Sequence, residues 1–232
     1  MPETGTSDPT AVAPVETGPI ADVPEHPRVV ERRTLHSGRV WDVVAETFEY
    51  NGATITREVL VHPGAVAVLA LDDEERVLLI RQYRHPVRAR EWEIPAGLLD
   101  VDGEPPLEAA QRELAEEADL AAERWDVLAD FLNSPGGSDE TIRIYLARAV
   151  SAVPAFERTE EEADIEVRWV PLDEALDAVL ARRVQAPSLV VGVLAAAASR
   201  ARGWDTLAPG DEPWLRHPKA GGPPWVLQDD PS

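Results

Sequence analysis

The sequence predicts a mixed α/β fold of the α+β type, in which a small antiparallel sheet precedes a core of interleaved strands and helices. Three observations carry that prediction. An Asn51-Gly52 pair stands between two runs of β-formers, the strongest short-range signal for a hairpin. A near-continuous apolar run at residues 65–71, and a segment at 76–83 with Val77, Leu78, Leu79 and Ile80 at its centre, have the pattern of strands buried in a sheet. Leu107, Ala110, Leu114 and Ala118 then recur at helical spacing, with Pro105 and Pro106 suited only to a first turn.

Residues 1–28 mix Pro, Thr, Glu, Asp and Gly without apolar periodicity, so this segment is expected to be a disordered tail. Residues 29–62 form an N-terminal β segment, with runs at 39–44 and 54–61 on either side of the Asn-Gly turn. The buried strands at 65–71 and 76–83 follow, separated by an Asp72-Asp73 turn. A helix is expected at 105–118. Further strands are expected at 125–131, 141–149 and 165–171. A second helix fits 172–182, starting near Asp173, and a third fits 189–202, after the breaker Pro187. Residues 203–232, rich in Pro, Gly and Trp, are expected to be an extended arm. Their Trp204, Trp214 and Trp225 suit packing against the body or a partner better than ligand binding. The acidic run Glu160-Glu161-Glu162 suits a solvated turn.

The 232-residue chain is long enough for one principal domain with accessory segments. Its 43 acidic residues outnumber 22 Lys and Arg, for a net charge of -21, which repels a phosphate backbone and predicts no nucleic-acid partner. A small anionic substrate remains compatible, because a divalent ion and a few arginines can reverse the sign inside one pocket. With no cysteine, disulfides, thiolate nucleophiles and sulfur-ligated zinc are excluded. The N-terminus does not read as a secretion signal, and the longest apolar stretch, 188–198, is too short to span a bilayer. A soluble cytoplasmic protein without membrane contact is the expectation.

The chemistry concentrates in Arg112-Glu113-Leu114-Ala115-Glu116-Glu117. At about 100° per residue, Glu113, Glu116 and Glu117 share one side of the helix while Leu107, Leu114 and Ala118 line the adjoining one. Acidic pairs on helices usually belong to a solvated face. Here they follow a Pro95-Ala96-Gly97 segment and a Gly103-Glu104 loop, which leave backbone room for a diphosphate and its metals, with the Ala96 carbonyl as a further ligand. Like charges at this spacing destabilise an isolated helix by about 0.2–0.5 kcal/mol per pair, so a shared cation gives them a purpose. Oxygen ligands favour Mg²⁺, with Mn²⁺ as a possible substitute.

Gly97, Glu104, Arg112, Glu113, Glu116, Glu117 and Leu120 together resemble the signature of the Nudix hydrolases, a match at seven spaced positions in 24 residues. Two departures stand out. Six residues rather than the usual five separate Gly97 from Glu104, and Asp119 occupies the usual place of a glycine. Asp is tolerated there at a cost of order 1 kcal/mol if the position is left-handed. Arg81-Gln82-Tyr83-Arg84, the stretch from Glu91 to Gly97, and Ser134-Pro135-Gly136-Gly137-Ser138-Asp139-Glu140 extend the resemblance to the ADP-ribose pyrophosphatase branch.

That resemblance implies an α/β/α sandwich with a mixed sheet over 63–202, and a homodimer whose N-terminal strands, here 29–62, cross to the partner. It implies hydrolysis of ADP-ribose to AMP and ribose 5-phosphate, with metal on Ala96, Glu113, Glu116 and Glu117. Glu140 is the candidate general base, with Glu117 or Glu116 as the alternative. Trp41, Arg57, Arg84, Glu93 and Leu98 are the candidate substrate contacts: the arginines for phosphate or ribose, Glu93 for a hydroxyl or the adenine amine, and Trp41 for stacking. The ordinary roles of these residues are surface ion pairs, a solvated loop acid and core packing. Two rival functions stay open, a Nudix hydrolase of another nucleoside diphosphate sugar or an oxidised nucleotide, and a catalytically silent Nudix-like sensor. The intact acidic cluster and the lack of a basic helix-turn-helix pattern weigh against the second.

Overall fold

The computed structural model describes residues 20–156, 164–214 and 216–217. In chain order the elements are β1 (Val29–Ser37), β2 (Asp42–Tyr50), β3 (Ala53–Val61), β4 (Ala65–Ala70), β5 (Arg76–Arg84), β6 (Ala89–Glu93), β7 (Ala96–Leu98), α1 (Pro106–Ala118), β8 (Leu120–Leu132), β9 (Thr141–Ala152), β10 (Glu166–Pro171), α2 (Leu172–Leu180), α3 (Pro187–Arg200) and β11 (Ala208–Pro209). They form three sheets, ordered β1-β2-β3, β10-β5-β6 and β11-β8-β9-β4-β7. The five-stranded sheet is mixed: β4 runs parallel to β9 and antiparallel to β7.

The alternation of side chains along β4 makes the layers. Val66, Val68 and Ala70 pack with Ala109, Ala110, Leu114 and Ala118 of α1. Ala67 and Leu69, on the opposite face, pack with Leu172 and Ala175 of α2 and with Leu189, Val193 and Ala196 of α3. A strand covered by helices on both faces has no polar side, which is why the sequence at β4 reads as an unbroken apolar run. The expected α/β/α sandwich with a mixed sheet follows directly.

The N-terminal antiparallel sheet is present as expected. Tyr50 pairs with Ala53 across a two-residue turn in which Asn51 (φ 50°) and Gly52 (φ 74°) are both left-handed, as a hairpin of matching twist requires. The sheet is tied to the body at the end of β3, where Leu60 N–H donates to Gly137 O at 2.9 Å and Asp139 N–H donates to Leu60 O at 3.3 Å.

Several boundaries differ from the sequence reading. The second helix stops at Leu180 rather than residue 182, and the third runs from Pro187 to Arg200 rather than over 189–202. Strands β8 and β9 are longer than expected because they pair with each other along their whole length. Strands β6 and β7 arise inside a stretch that reads as loop. The C-terminal arm is folded onto the body as far as residue 214: β11 pairs with β8, and Trp214 is buried with Arg143 stacked 4.9 Å from its ring centroid. Trp204 lies under Arg148. Residues 20–28, at the end of the expected tail, carry no regular secondary structure. Residues 1–19, the Glu160-Glu161-Glu162 run and Trp225 lie outside the described residues. No helix among the described residues is long and apolar enough to cross a membrane.

Candidate active site

The carboxylates of α1 are set by strand β7. Gly97 pairs with Val66, which puts the β7 backbone directly over the helix. A Cβ at position 97 would lie 2.0 Å from the Glu113 Cδ, so only glycine leaves that carboxyl its place. One residue earlier, Ala96 N–H donates to Glu117 Oε2 at 2.9 Å, and Glu117 is 4% exposed. A buried carboxylate in the last turn of a helix opposes the helix dipole, which favours cations there. No basic residue occupies that turn. The Ala96 amide offsets part of that cost.

Arg112 gathers the neighbouring acids. Its Nε and Nη2 donate to Glu104 at 2.9 and 3.0 Å, and its Nη1 donates to Glu113 at 2.6 Å and Glu116 at 3.0 Å. The guanidinium is held well above its ordinary pKa, first by the Glu104 hydrogen bond, and Glu104 is held below the ordinary carboxylate value by the same bond. Glu104 therefore fixes Arg112, and Arg112 orients two of the three helix carboxylates.

Both departures from the signature are accommodated. The sixth loop residue lies before Glu104 and leaves the helix register intact. Asp119 has φ 54° and ψ 38°, the left-handed conformation a glycine would take, and ends α1 with its N–H on Ala115 O. Its Oδ1 accepts from Phe156 N–H at 2.8 Å, a contact glycine would lack.

Glu140 stands just before β9, in a second cluster. Its Oε2 accepts from Asn133 Nδ2 at 2.8 Å, its Oε1 is 3.9 Å from His62 Nε2, and its N–H donates to Ser138 Oγ. Trp41 stacks on His62 with centroids 5.7 Å apart. Arg143, three residues after Glu140, pairs with Val66, which pairs in turn with Gly97. Glu140 is thus displaced from the Gly97 row by about 10 Å along the sheet.

The candidate substrate residues divide between regions. Arg84 and Glu93 are bound to each other by a two-pronged ion pair at 2.8 and 2.7 Å, with Gln82 against the same carboxylate. Glu93 is buried, and β6 carries it to within three residues of Ala96. Leu98 is half-buried at the end of β7. Trp41 belongs with the Glu140 cluster. Arg57 is exposed on β3 opposite Glu46, and its Nη1 donates to Thr56 O. Sequence reasoning missed His62 and Asn133, since a single His or Asn beside a strand carries no periodic signal.

The donor set fits a hard cation. Every candidate ligand is oxygen, and the space above Gly97 is kept open for Glu113. Among the described residues no three His, Cys, Asp or Glu side chains converge on a common point. Arg112 draws Glu113 and Glu116, the Ala96 amide draws Glu117, and a cation arriving here would compete with those two groups. A separate cleft of about 590 Å³ lies between β8, β9 and the C-terminal arm, lined by Asp130, Phe131, Arg143, Trp214 and Arg216 among others. It contains none of the predicted site residues, and its Arg143 is already bound by Asp130 and the Glu212 carbonyl.

Comparison with known proteins identifies the family to which these residues belong. The NUDIX domain family matches residues 61–189, which include α1, β7 and Glu140. The ADP-ribose pyrophosphatase of Mycobacterium tuberculosis is 41% identical over 192 residues, covering 82% of this chain and 92% of that protein. The ADP-ribose pyrophosphatase of Bacillus subtilis is 37% identical over 158 residues, covering 68% and 85%. A crystal structure described as an ADP compounds hydrolase shares the fold, with TM-score 0.66 and 22% identity over 79% of this chain and 99% of that one.

Proposed function

The chain belongs to the Nudix family and is a Nudix pyrophosphohydrolase, and on that premise we propose that it hydrolyses the diphosphate of ADP-ribose to AMP and ribose 5-phosphate. The observation that carries the reading is the buried Glu117, anchored on the Ala96 amide, beside a Glu113 that fills the space left by Gly97. Two relatives named as ADP-ribose pyrophosphatases support the choice of substrate.

Water attacks one phosphorus, a new P–O bond forms, and the bridging P–O bond breaks. Glu140 takes the proton from that water, helped by a loop that brings it toward α1. Glu113, Glu116, Glu117 and the Ala96 carbonyl would hold Mg²⁺, with Mn²⁺ as a substitute, and the ion would neutralise the diphosphate and acidify the water. Arg112 and Glu104 keep the carboxylates aligned before substrate arrives. Arg57 and Arg84 serve phosphate or ribose, Glu93 a hydroxyl or the adenine amine, Leu98 the pocket floor, and Trp41 the adenine face. Arg84 must then divide its donor fork between Glu93 and substrate.

The reading includes a cytoplasmic homodimer, in which the 29–62 segment crosses to a partner's 63–202 domain. Support comes from β1, which is exposed along almost its whole length and carries Val30 and Leu35 into solvent. A hydrolysis panel with Mg²⁺ tests the substrate. ADP-ribose should turn over fastest, and a rate far below those of GDP-mannose or ADP-glucose would overturn the choice. Chelation with EDTA should abolish turnover, with recovery on added Mg²⁺.

A further inference from the structure

His62 joins the N-terminal sheet to β4 through Pro63 and Gly64, and its side chain is 5% exposed. Its Nδ1 accepts the Gly64 N–H at 3.1 Å. That contact requires a lone pair on Nδ1, so the proton of the neutral ring is on Nε2. Nε2 faces Glu140 Oε1 at 3.9 Å. The His62 main-chain N–H donates to Asp139 Oδ1 at 2.7 Å, so the residue holds Asp139 while its ring faces Glu140. Trp41 covers one ring face.

We infer that His62 is a positioning residue for Glu140, using its Nε2–H to aim the Glu140 carboxylate at the attacking water. The inference rests on the reading of Glu140 as the base. Asn133 already holds Oε2, which leaves Oε1 as the oxygen whose direction His62 sets. A separation of 3.9 Å is longer than a hydrogen bond, and such contacts commonly tighten when a loop closes on substrate. Burial disfavours the imidazolium form, against the pull of Glu140 and Asp139. A neutral donor is well matched to this role, because it orients the carboxylate without the full positive charge that would suppress its basicity.

Two substitutions separate the ring nitrogens. In His62→Asn the amide oxygen can replace Nδ1 toward Gly64, but nothing reaches Glu140. In His62→Gln the amide nitrogen can replace Nε2 toward Glu140. Steady-state kinetics should show kcat reduced about tenfold or more in His62→Asn, with KM within about twofold, and kcat restored to within about threefold of wild type in His62→Gln. Equal kcat in wild type and His62→Asn, or equal loss in both variants, would overturn the inference.

Glu140→Gln keeps the two readings apart and covers a His62 variant that does not fold. A slow Glu140→Gln beside a fully active His62→Asn leaves the base in place and removes His62 alone, whereas a fully active Glu140→Gln removes both. In the same variant the ¹⁵N signals of the His62 ring should titrate at lower pH, because the nearest charge favouring its protonation has gone. An unmoved titration would contradict the contact.

Discussion

The acidic end of α1 and the loop before β9 both present carboxylates, but they are held in different ways. Glu113 and Glu117 stand on a helix whose apolar face is locked into the core through Ala110, Leu114 and Ala118, with strand β7 laid over them. Glu140 hangs at the end of a loop, secured by Asn133, Ser138 and the approach of His62. The first arrangement is built into the packed core, whereas the second rests on a loop, the kind of segment that moves more readily. On the roles proposed above, the binding of charge falls to the first, rigid half and the delivery of the base to the second, mobile half.

The largest expected effect comes from the rigid half. Glu117→Gln keeps the acceptor for Ala96 N–H but removes the charge, and kcat should fall about 10³-fold, the equivalent of several kcal/mol of lost charge stabilisation. Unchanged turnover, with circular dichroism confirming the fold, would contradict the cation site. Gly97→Ala comes next. Its added Cβ needs the place of the Glu113 carboxyl, and a displacement of about 1 Å can cost on the order of 10²-fold in rate. The helix core is untouched, so thermal melting should barely move while kcat drops. In the mobile half, Asn133→Leu removes one hydrogen bond from Glu140, about 1 kcal/mol, and should lower kcat by about fivefold. A loss as large as that of Gly97→Ala would mean that the loop is as rigid as the helix.

Most of the rigid half was legible in the sequence. The apolar run of β4, the helical stripe of α1, the spacing from Gly97 to Leu120 and the left-handed Asp119 each follow from local rules. Strands β6 and β7 did not show, because the alternation Glu91-Trp92-Glu93-Ile94 is cut short at Pro95 and the three residues of β7 are strand only by virtue of pairing with β4. The Arg84–Glu93 ion pair depends on the register of β5 and β6, which no local pattern reveals. His62 and Asp139 meet across 77 positions of sequence, and only the completed sheet brings them together.

The smallest effect, and the one that probes both halves at once, is the response to acid. His62 has its pKa lowered from 6.5, chiefly by burial, so below pH 6.5 the unfolded chain binds a proton that the folded chain resists. Its contribution to stability is complete above pH 6.5 and is lost as pH falls toward the folded value. Glu104 is lowered from 4.5 by its bond to Arg112, so its contribution is complete above 4.5 and is lost further into acid. Asp139 is raised from 3.8, mainly by burial, and has the opposite sign: it favours the folded state at low pH and gives up that benefit as pH rises through its folded value. Melting temperature followed from about pH 7 to about pH 3.5 should therefore fall in two stages. His62→Gln should flatten the first stage and keep the second, while Arg112→Gln should do the reverse. A first stage that survives in His62→Gln would show that the loop cluster does not couple its protonation to folding, and would leave the contrast between the two halves resting on kinetics alone.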